Sequence, residues 1–161
     1  MATRGTIAIK RLDGSCSLIY THYDSYPENN GKILKTFYNT PELVEELISH
    51  GDLSVLGTYI NPVGEHSFDL PEENCCIYYG RDRGEYNVNP KHYKTSISFF
   101  RDRIKEEYDY LYVEEENRWY LLGRKSELYT FMSELDKTEV LRKKNCINRK
   151  IKCNKVLDSL F

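Results

Sequence analysis

Two alternating runs joined by an Asp-Gly turn open the chain, and they constrain its fold more than any other feature. Thr6-Ile7-Ala8-Ile9-Lys10 alternates, Asp13-Gly14 supplies a turn that tolerates positive φ, and Ser17-Leu18-Ile19-Tyr20-Thr21-His22 returns. On the return strand Cys16, Leu18, Tyr20 and His22 share one face, and Ser17, Ile19, Thr21 and Tyr23 share the other. A hairpin this close to the start commits the domain to a sheet. Tyr26-Pro27-Glu28-Asn29-Asn30-Gly31 then breaks the chain.

Two helices are expected after this break. Lys32 to Tyr38 carries Ile33, Leu34, Phe37 and Tyr38 at helical spacing. The next helix has its ends written in the sequence: Thr40 as N-cap, Pro41 at the first helical position and Gly51 as the stop after His50. Leu43, Val44, Leu47 and Ile48 form its apolar stripe. Asp52 to Asn74 reads as a loop, with Gly57, Pro62, Gly64 and Pro71, and a loop of that length in a compact domain points to function. Cys75-Cys76-Ile77-Tyr78-Tyr79 is apolar on both faces and reads as a central strand, closed abruptly by Gly80 to Glu85. A helix is expected over Ile97 to Glu107. A second hairpin pairs Tyr108 to Val113 with Trp119 to Leu122, and a C-terminal helix starts at Ser126 with Leu128, Phe131, Met132 and Leu135.

The expected fold is therefore α+β: a mainly antiparallel sheet of two hairpins and a central strand, packed with about five helices. At 161 residues the chain is read as a single domain, 1–161, ending in a basic helical segment, 138–161. That segment carries Arg142, Lys143, Lys144, Arg149, Lys150, Lys152 and Lys155. It reads as a solvated helix face balancing the acidic middle of the chain, with contact to nucleic acid or an acidic partner as the alternative.

Composition bounds the function classes. Lys+Arg of 23 against Asp+Glu of 25 gives a net charge of -2, so bulk attraction to nucleic acid or to anionic membrane is not expected. No apolar run reaches the roughly 20 residues of a membrane span, and Met1 to Thr6 lacks the apolar stretch of a signal peptide, so a cytoplasmic setting is expected. Five cysteines, 16, 75, 76, 146 and 153, show no Cys-x-x-Cys pair, which fits free thiols with neither a disulfide framework nor a structural metal. No phosphate loop, dinucleotide fingerprint or nucleophile elbow is present, so no cofactor and no catalytic residue is assigned.

Three polar clusters remain. Arg81 and Arg83, between Gly80 and Gly84, suit capture of an anion, because arginine offers a rigid fork of donors and glycine lets backbone approach closely. The bland alternative is a salt-bridged turn in which Asp82 and Glu85 satisfy them. Thr21 to Tyr26 and Gly64 to Asp69 each contain a His and an Asp. If the clusters converge, His22, Asp24, Tyr26, His66 and Arg4 would wall a site for a nucleotide-like anion, with Arg81 and Arg83 on phosphate. The third reading is a metal-dependent phosphoesterase built on His22, Asp24, His66 and Asp69. The 14 tyrosines offer core packing or a stacking surface; Tyr108, Tyr110 and Tyr112 share one strand face.

The opening Met-Ala-Thr-Arg-x-Thr-Ile-Ala, the Asp13-Gly14 turn, Ile19 to Tyr26, Asn30 to Leu34, His66 to Asp69 and Tyr79 to Glu85 resemble a family of small uncharacterised proteins common in bacteriophage genomes. The family pattern has Trp and Gly around the Asp where this chain has Tyr23 and Ser25. The resemblance carries no catalytic role. It implies a phage-type accessory protein that works by stoichiometric binding in the host bacterium. The leading expectation is sequestration of an anionic nucleotide-derived signal of host defence. The second is inhibition of a host protein through a tyrosine-rich or basic surface, and a homo-oligomer is compatible with either.

Overall fold

The computed structural model describes residues 2–122 and, as backbone, 128–130. In chain order the elements are β1 (Gly5–Lys10), β2 (Cys16–Thr21), a π-helical turn (Pro27–Gly31), α1 (Lys32–Phe37), α2 (Pro41–Ser49), β3 (Leu53–Val55), β4 (Ile77–Tyr78), α3 (Tyr79–Arg83), β5 (Lys91–Tyr93), α4 (Ser96–Asp102), β6 (Tyr108–Val113), a 3-10 turn (Glu114–Glu116), β7 (Arg118–Leu122) and β8 (Leu128–Thr130). The two hairpins form as expected: β1 pairs antiparallel with β2, and β6 with β7.

The sheet is mixed rather than mainly antiparallel. Its eight strands run β4-β3-β2-β1-β6-β7-β8, with β5 paired to β2 off that path. β1 and β6 are parallel along their whole length, Ile7 opposite Tyr110 and Ile9 opposite Tyr112, and β2 is parallel to β3 at Thr21 and Leu53. The two hairpins are thus fused side by side through strands running the same way. Four α-helices, rather than about five, stand among the described residues.

Other expectations change for local reasons. Cys75 to Tyr79 is not a central strand. Only Ile77 and Tyr78 are extended, at the edge of the sheet, and Tyr79 begins α3, so the tight turn expected at Gly80 to Glu85 is mostly helix. The run is apolar on both sides because Cys76 and Tyr78 enter the core while Cys75 packs under the preceding loop, its thiol reaching Ile60 O. Within the expected loop, Leu53 to Val55 forms β3. The helix expected over Ile97 to Glu107 stops at Asp102, because Arg103 turns extended and buries its side chain. Leu128 to Thr130 is a strand, not the start of a helix, and covers the free edge of β7. The rest of that helix, the basic segment 138–161, Cys146 and Cys153 lie outside the described residues.

Both faces of the sheet are buried. On one, Ile7, Ile9, Ile19, Tyr110, Tyr112 and Trp119 pack beneath α1 and α2, against Leu34, Tyr38, Val44, Leu47 and Ile48. On the other, Ala8, Cys16, Leu18, Leu111, Val113 and Tyr120 meet Phe99 of α4. Leu43, expected in the α2 stripe, sits at its exposed rim. The α2 ends are as read: Thr40 Oγ1 accepts from Leu43 N at 3.3 Å, and Gly51 takes φ +84° with Val88 O so close that a Cβ would lie 2.1 Å from it.

Trp119 ties the second hairpin to α1. Its indole N–H donates to Tyr38 O at 2.8 Å, and Tyr38 in turn donates to Gly57 O at 2.7 Å. Trp119→Phe is expected to cost about 1–3 kcal/mol, since it orphans a buried carbonyl. Urea unfolding followed by circular dichroism checks this; an unchanged midpoint would refute it.

The outer side of β2 is shared end to end by two short partners. β5 pairs with Cys16 to Leu18, and β3 takes over at Thr21. In the gap, the Asp52 carboxylate accepts the Tyr20 N–H at 2.8 Å. Burial raises the Asp52 pKa, opposed by that hydrogen bond and by Lys91.

Candidate functional site: a braced loop beside an open sheet face

The segment between β3 and β4 leaves and re-enters the fold at one point. Thr58 N donates to Asn74 O at 2.8 Å, and Cys76 N to Tyr59 O at 2.9 Å. Residues 60–74 therefore form a closed surface loop, organised by side chains in place of secondary structure. The Glu72 carboxylate gathers Val63 N at 3.0 Å, Gly64 N at 2.7 Å and the Tyr59 hydroxyl at 2.7 Å. Those bonds, Tyr59's first, hold its pKa below the ordinary value.

A buried His–Asp–Arg bracket fastens this loop to α3. His66 Nδ1 accepts the Glu72 N–H at 3.0 Å, which assigns the ring proton to Nε2. That Nε2 faces Asp82 Oδ2 at 3.2 Å, with side-chain exposures of 2% and 5%. Asp82 also accepts Tyr78 N at 2.7 Å and Arg81 Nε at 2.8 Å. Burial opposes its ionisation, but the bonds from Arg81, Tyr78 and His66 outweigh it and lower its pKa. Arg81 spends its remaining donors on Ile60 O at 2.6 Å and Cys76 O at 2.9 Å, and its guanidinium lies 4.8 Å from the Tyr78 ring centre. Phe68 N closes the set on Asp82 O at 3.3 Å.

The structure thus brings Arg81 and His66 together, around Asp82 rather than around an opening. A phosphate on Arg81 would have to displace carbonyls that hold the loop. Arg83 pairs with Glu85 and lies across Phe68 and Tyr79, 4.3 and 5.2 Å from their ring centres. His22 sits on the first hairpin, its Nδ1 2.6 Å from the Tyr20 hydroxyl and its ring edge-on to Tyr23 at 4.5 Å. Arg4 is exposed one position before β1; Asp24 is an exposed turn residue at φ 57°; Tyr26 opens the π-helical turn. Among the described residues no group of three or more His, Cys, Asp and Glu could hold a metal, so His22, Asp24, His66 and Asp69 are not gathered as ligands. The tyrosines of the second hairpin are no stacking surface: Tyr110, Tyr112 and Tyr120 are buried. Cys16, Cys75 and Cys76 are buried thiols, and burial pushes that of Cys76 up to about 11.

The loop displays two apolar side chains among acidic ones. Val63 is 92% exposed and Leu70 80%, on a segment whose backbone is held in place at both flanks. Sequence reasoning passed over both, although two apolar residues in a Pro- and Gly-punctuated stretch with no helical or strand period have no core to face. It also passed over Tyr59 and Glu72 as parts of the brace, and over Tyr20, Asp52 and Tyr79 beside it. The salt-bridged alternative, by contrast, is what the folded chain contains: Asp82 pairs with Arg81 and Glu85 with Arg83. Tyr59 and Glu72 lie 13 residues apart in sequence, and Tyr20 and Asp52 lie 32 apart.

No helix among the described residues is long and apolar enough to cross a membrane. No family model, curated protein or solved structure matches the chain.

Proposed function

We propose that the protein acts by stoichiometric binding of another protein, which it engages through the braced loop 60–74. The observation that carries this reading is the pairing of a rigid bracket with Val63 and Leu70 standing almost wholly in solvent. Two such side chains add nothing to the core, and burying each against a partner is worth about 1.5–3 kcal/mol. A loop already fixed by Glu72, His66 and Asp82 loses little further freedom on docking, so more of that burial is realised as affinity.

Charge defines the partner. Residues 61–74 contain Glu65, Asp69, Glu72 and Glu73 and no Lys or Arg. The complementary surface is an apolar socket with a basic rim. The resemblance to small phage proteins supplies the setting, in which that partner is a host protein and the effect is inhibition by occupancy.

Val63→Asp and Leu70→Asp, made singly, are expected to leave the melting temperature unchanged, since surface changes cost within about 0.5 kcal/mol. Each should weaken capture of the partner by about thirtyfold, the loss of one well-buried anchor. Affinity capture from bacterial extract, followed by titration of the recovered protein, measures both. Undiminished binding by both variants would overturn the proposal.

A further inference from the structure

A second surface lies beside the loop. On the face of the sheet covered by α4, Phe99 packs with Leu18 and Ala8, but β2 continues past that cover. Alternation places Tyr20 and His22 on the same face as Leu18, and both are half-buried. The β1–β2 register ends with Gly5 opposite Thr21, and Arg4 and His22 lie one residue beyond that last pair on the two strands. Tyr78 points into the opposite core; Tyr79, the following residue, donates its N–H to Asp52 O at 3.2 Å, and Asp52 in turn accepts the Tyr20 N–H, with Arg4 within electrostatic reach of Tyr20.

The groups here are complementary in chemistry. Tyr79 and Phe68 present neighbouring rings, 5.6 Å between centres, with Arg83 laid across them. Tyr20 and His22 continue the aromatic surface, their hydroxyl-to-nitrogen bond leaving His22 Nε2 for a ligand. Asp52 uses Oδ1 on the Tyr20 amide, which leaves Oδ2 as an acceptor, and Lys91 stands within its field. Arg4, Lys91 and Arg83 supply cationic donors; the carboxylates near them are Asp52, Glu85, Glu106 and Glu107, the last accepting the Arg4 N–H at 3.5 Å.

We propose that this face binds a nucleotide: the base stacks on Tyr79 and Tyr20, the phosphate meets Arg4 and His22, and Asp52 Oδ2 accepts from the sugar or base. Stacking on an aromatic ring contributes comparably for every base, so the site reads the nucleotide class before it reads the base. Its ligand contacts are separate from Val63 and Leu70, the anchors proposed for protein binding by the loop.

The test is amide-resolved NMR titration of the full chain with AMP, GMP, CMP and UMP, repeated with adenosine. Saturable shifts should fall on Arg4, Tyr20, His22, Asp52 and Tyr79. Adenosine, lacking phosphate, should bind at least tenfold more weakly than AMP. Tyr79→Leu and Arg4→Gln should each weaken AMP at least tenfold with the remaining spectrum preserved, while Val63→Asp leaves AMP binding intact. Absence of saturation with all four nucleotides at millimolar concentration, shifts centred elsewhere, or wild-type affinity in Tyr79→Leu would overturn the assignment.

Discussion

Asp109→Ala is expected to remove about 3–5 kcal/mol of folding stability, as breaking a buried ion pair does. Asp109 and Arg103 face each other at 3.0 Å with side chains only 6% and 4% exposed. The same carboxylate accepts the Thr6 hydroxyl at 2.7 Å and the Glu106 amide at 3.1 Å, so one truncation strands a guanidinium, a hydroxyl and an N–H together. Among the described residues, Arg103 Nε already lacks a hydrogen-bond partner. Against a typical total of about 5–15 kcal/mol, the loss leaves a large unfolded fraction. Adding Arg103→Met to Asp109→Ala should recover part of it, because the second change removes the stranded charge. Urea midpoints of the two variants decide the matter: Asp109→Ala within about 1 kcal/mol of the parent would refute the account.

The second large effect is local. Asp82→Ala deletes the hub that joins His66, Arg81 and the Tyr78 amide, and should cost about 2–3 kcal/mol, the scale of hydrogen bonds to a charged group. The loss should appear in loop 60–74 ahead of the rest of the domain. A Glu-specific protease should then cut at Glu65, Glu72 or Glu73 much faster than in the parent, and partner capture should fall although Val63 and Leu70 are untouched. Equal cleavage rates would show that the brace is not what holds the loop. The pH dependence is set by the same group. Its pKa in the folded chain lies below the value of about 3.9 that an unfolded chain gives it. The contribution is therefore complete above about pH 4 and is lost as the pH falls through the folded value, where the carboxyl protonates. Asp82→Asn should flatten this acid-side decline in the urea midpoint relative to the parent.

Local signals made part of the fold legible. Thr40, Pro41 and Gly51 mark α2, and alternation around Asp13-Gly14 marks the first hairpin, because the interactions that form them lie within a few residues. The β1–β6 junction was not legible: it joins Gly5 to Tyr108 across about a hundred residues, and no feature of either strand specifies a parallel neighbour. For the site, the sequence marked the segment and offered two roles for it, an anion site and a salt-bridged turn, and the folded chain contains the ion pairs of the second. Arg81 and His66 are polar and close to glycines, which suits a ligand site. Which donors they spend internally depends on Ile60, Cys76 and Glu72, whose positions only the folded chain supplies. The tyrosines illustrate the same limit, since alternation puts Tyr110 and Tyr112 on one face but cannot say that α1 and α2 cover it.

The divided outer side of β2 has a consequence for self-association. A long, flat strand edge is a template on which another chain can add itself. Here β4 offers two residues and β5 three, separated by a seam that the Asp52 carboxylate closes, and Pro90 immediately precedes β5. Among the described residues, no stretch of backbone on that side is long enough to guide an incoming strand into register. A chain that leaves Val63 and Leu70 in solvent thus offers, on this side, no strand edge for copies of itself to zip onto.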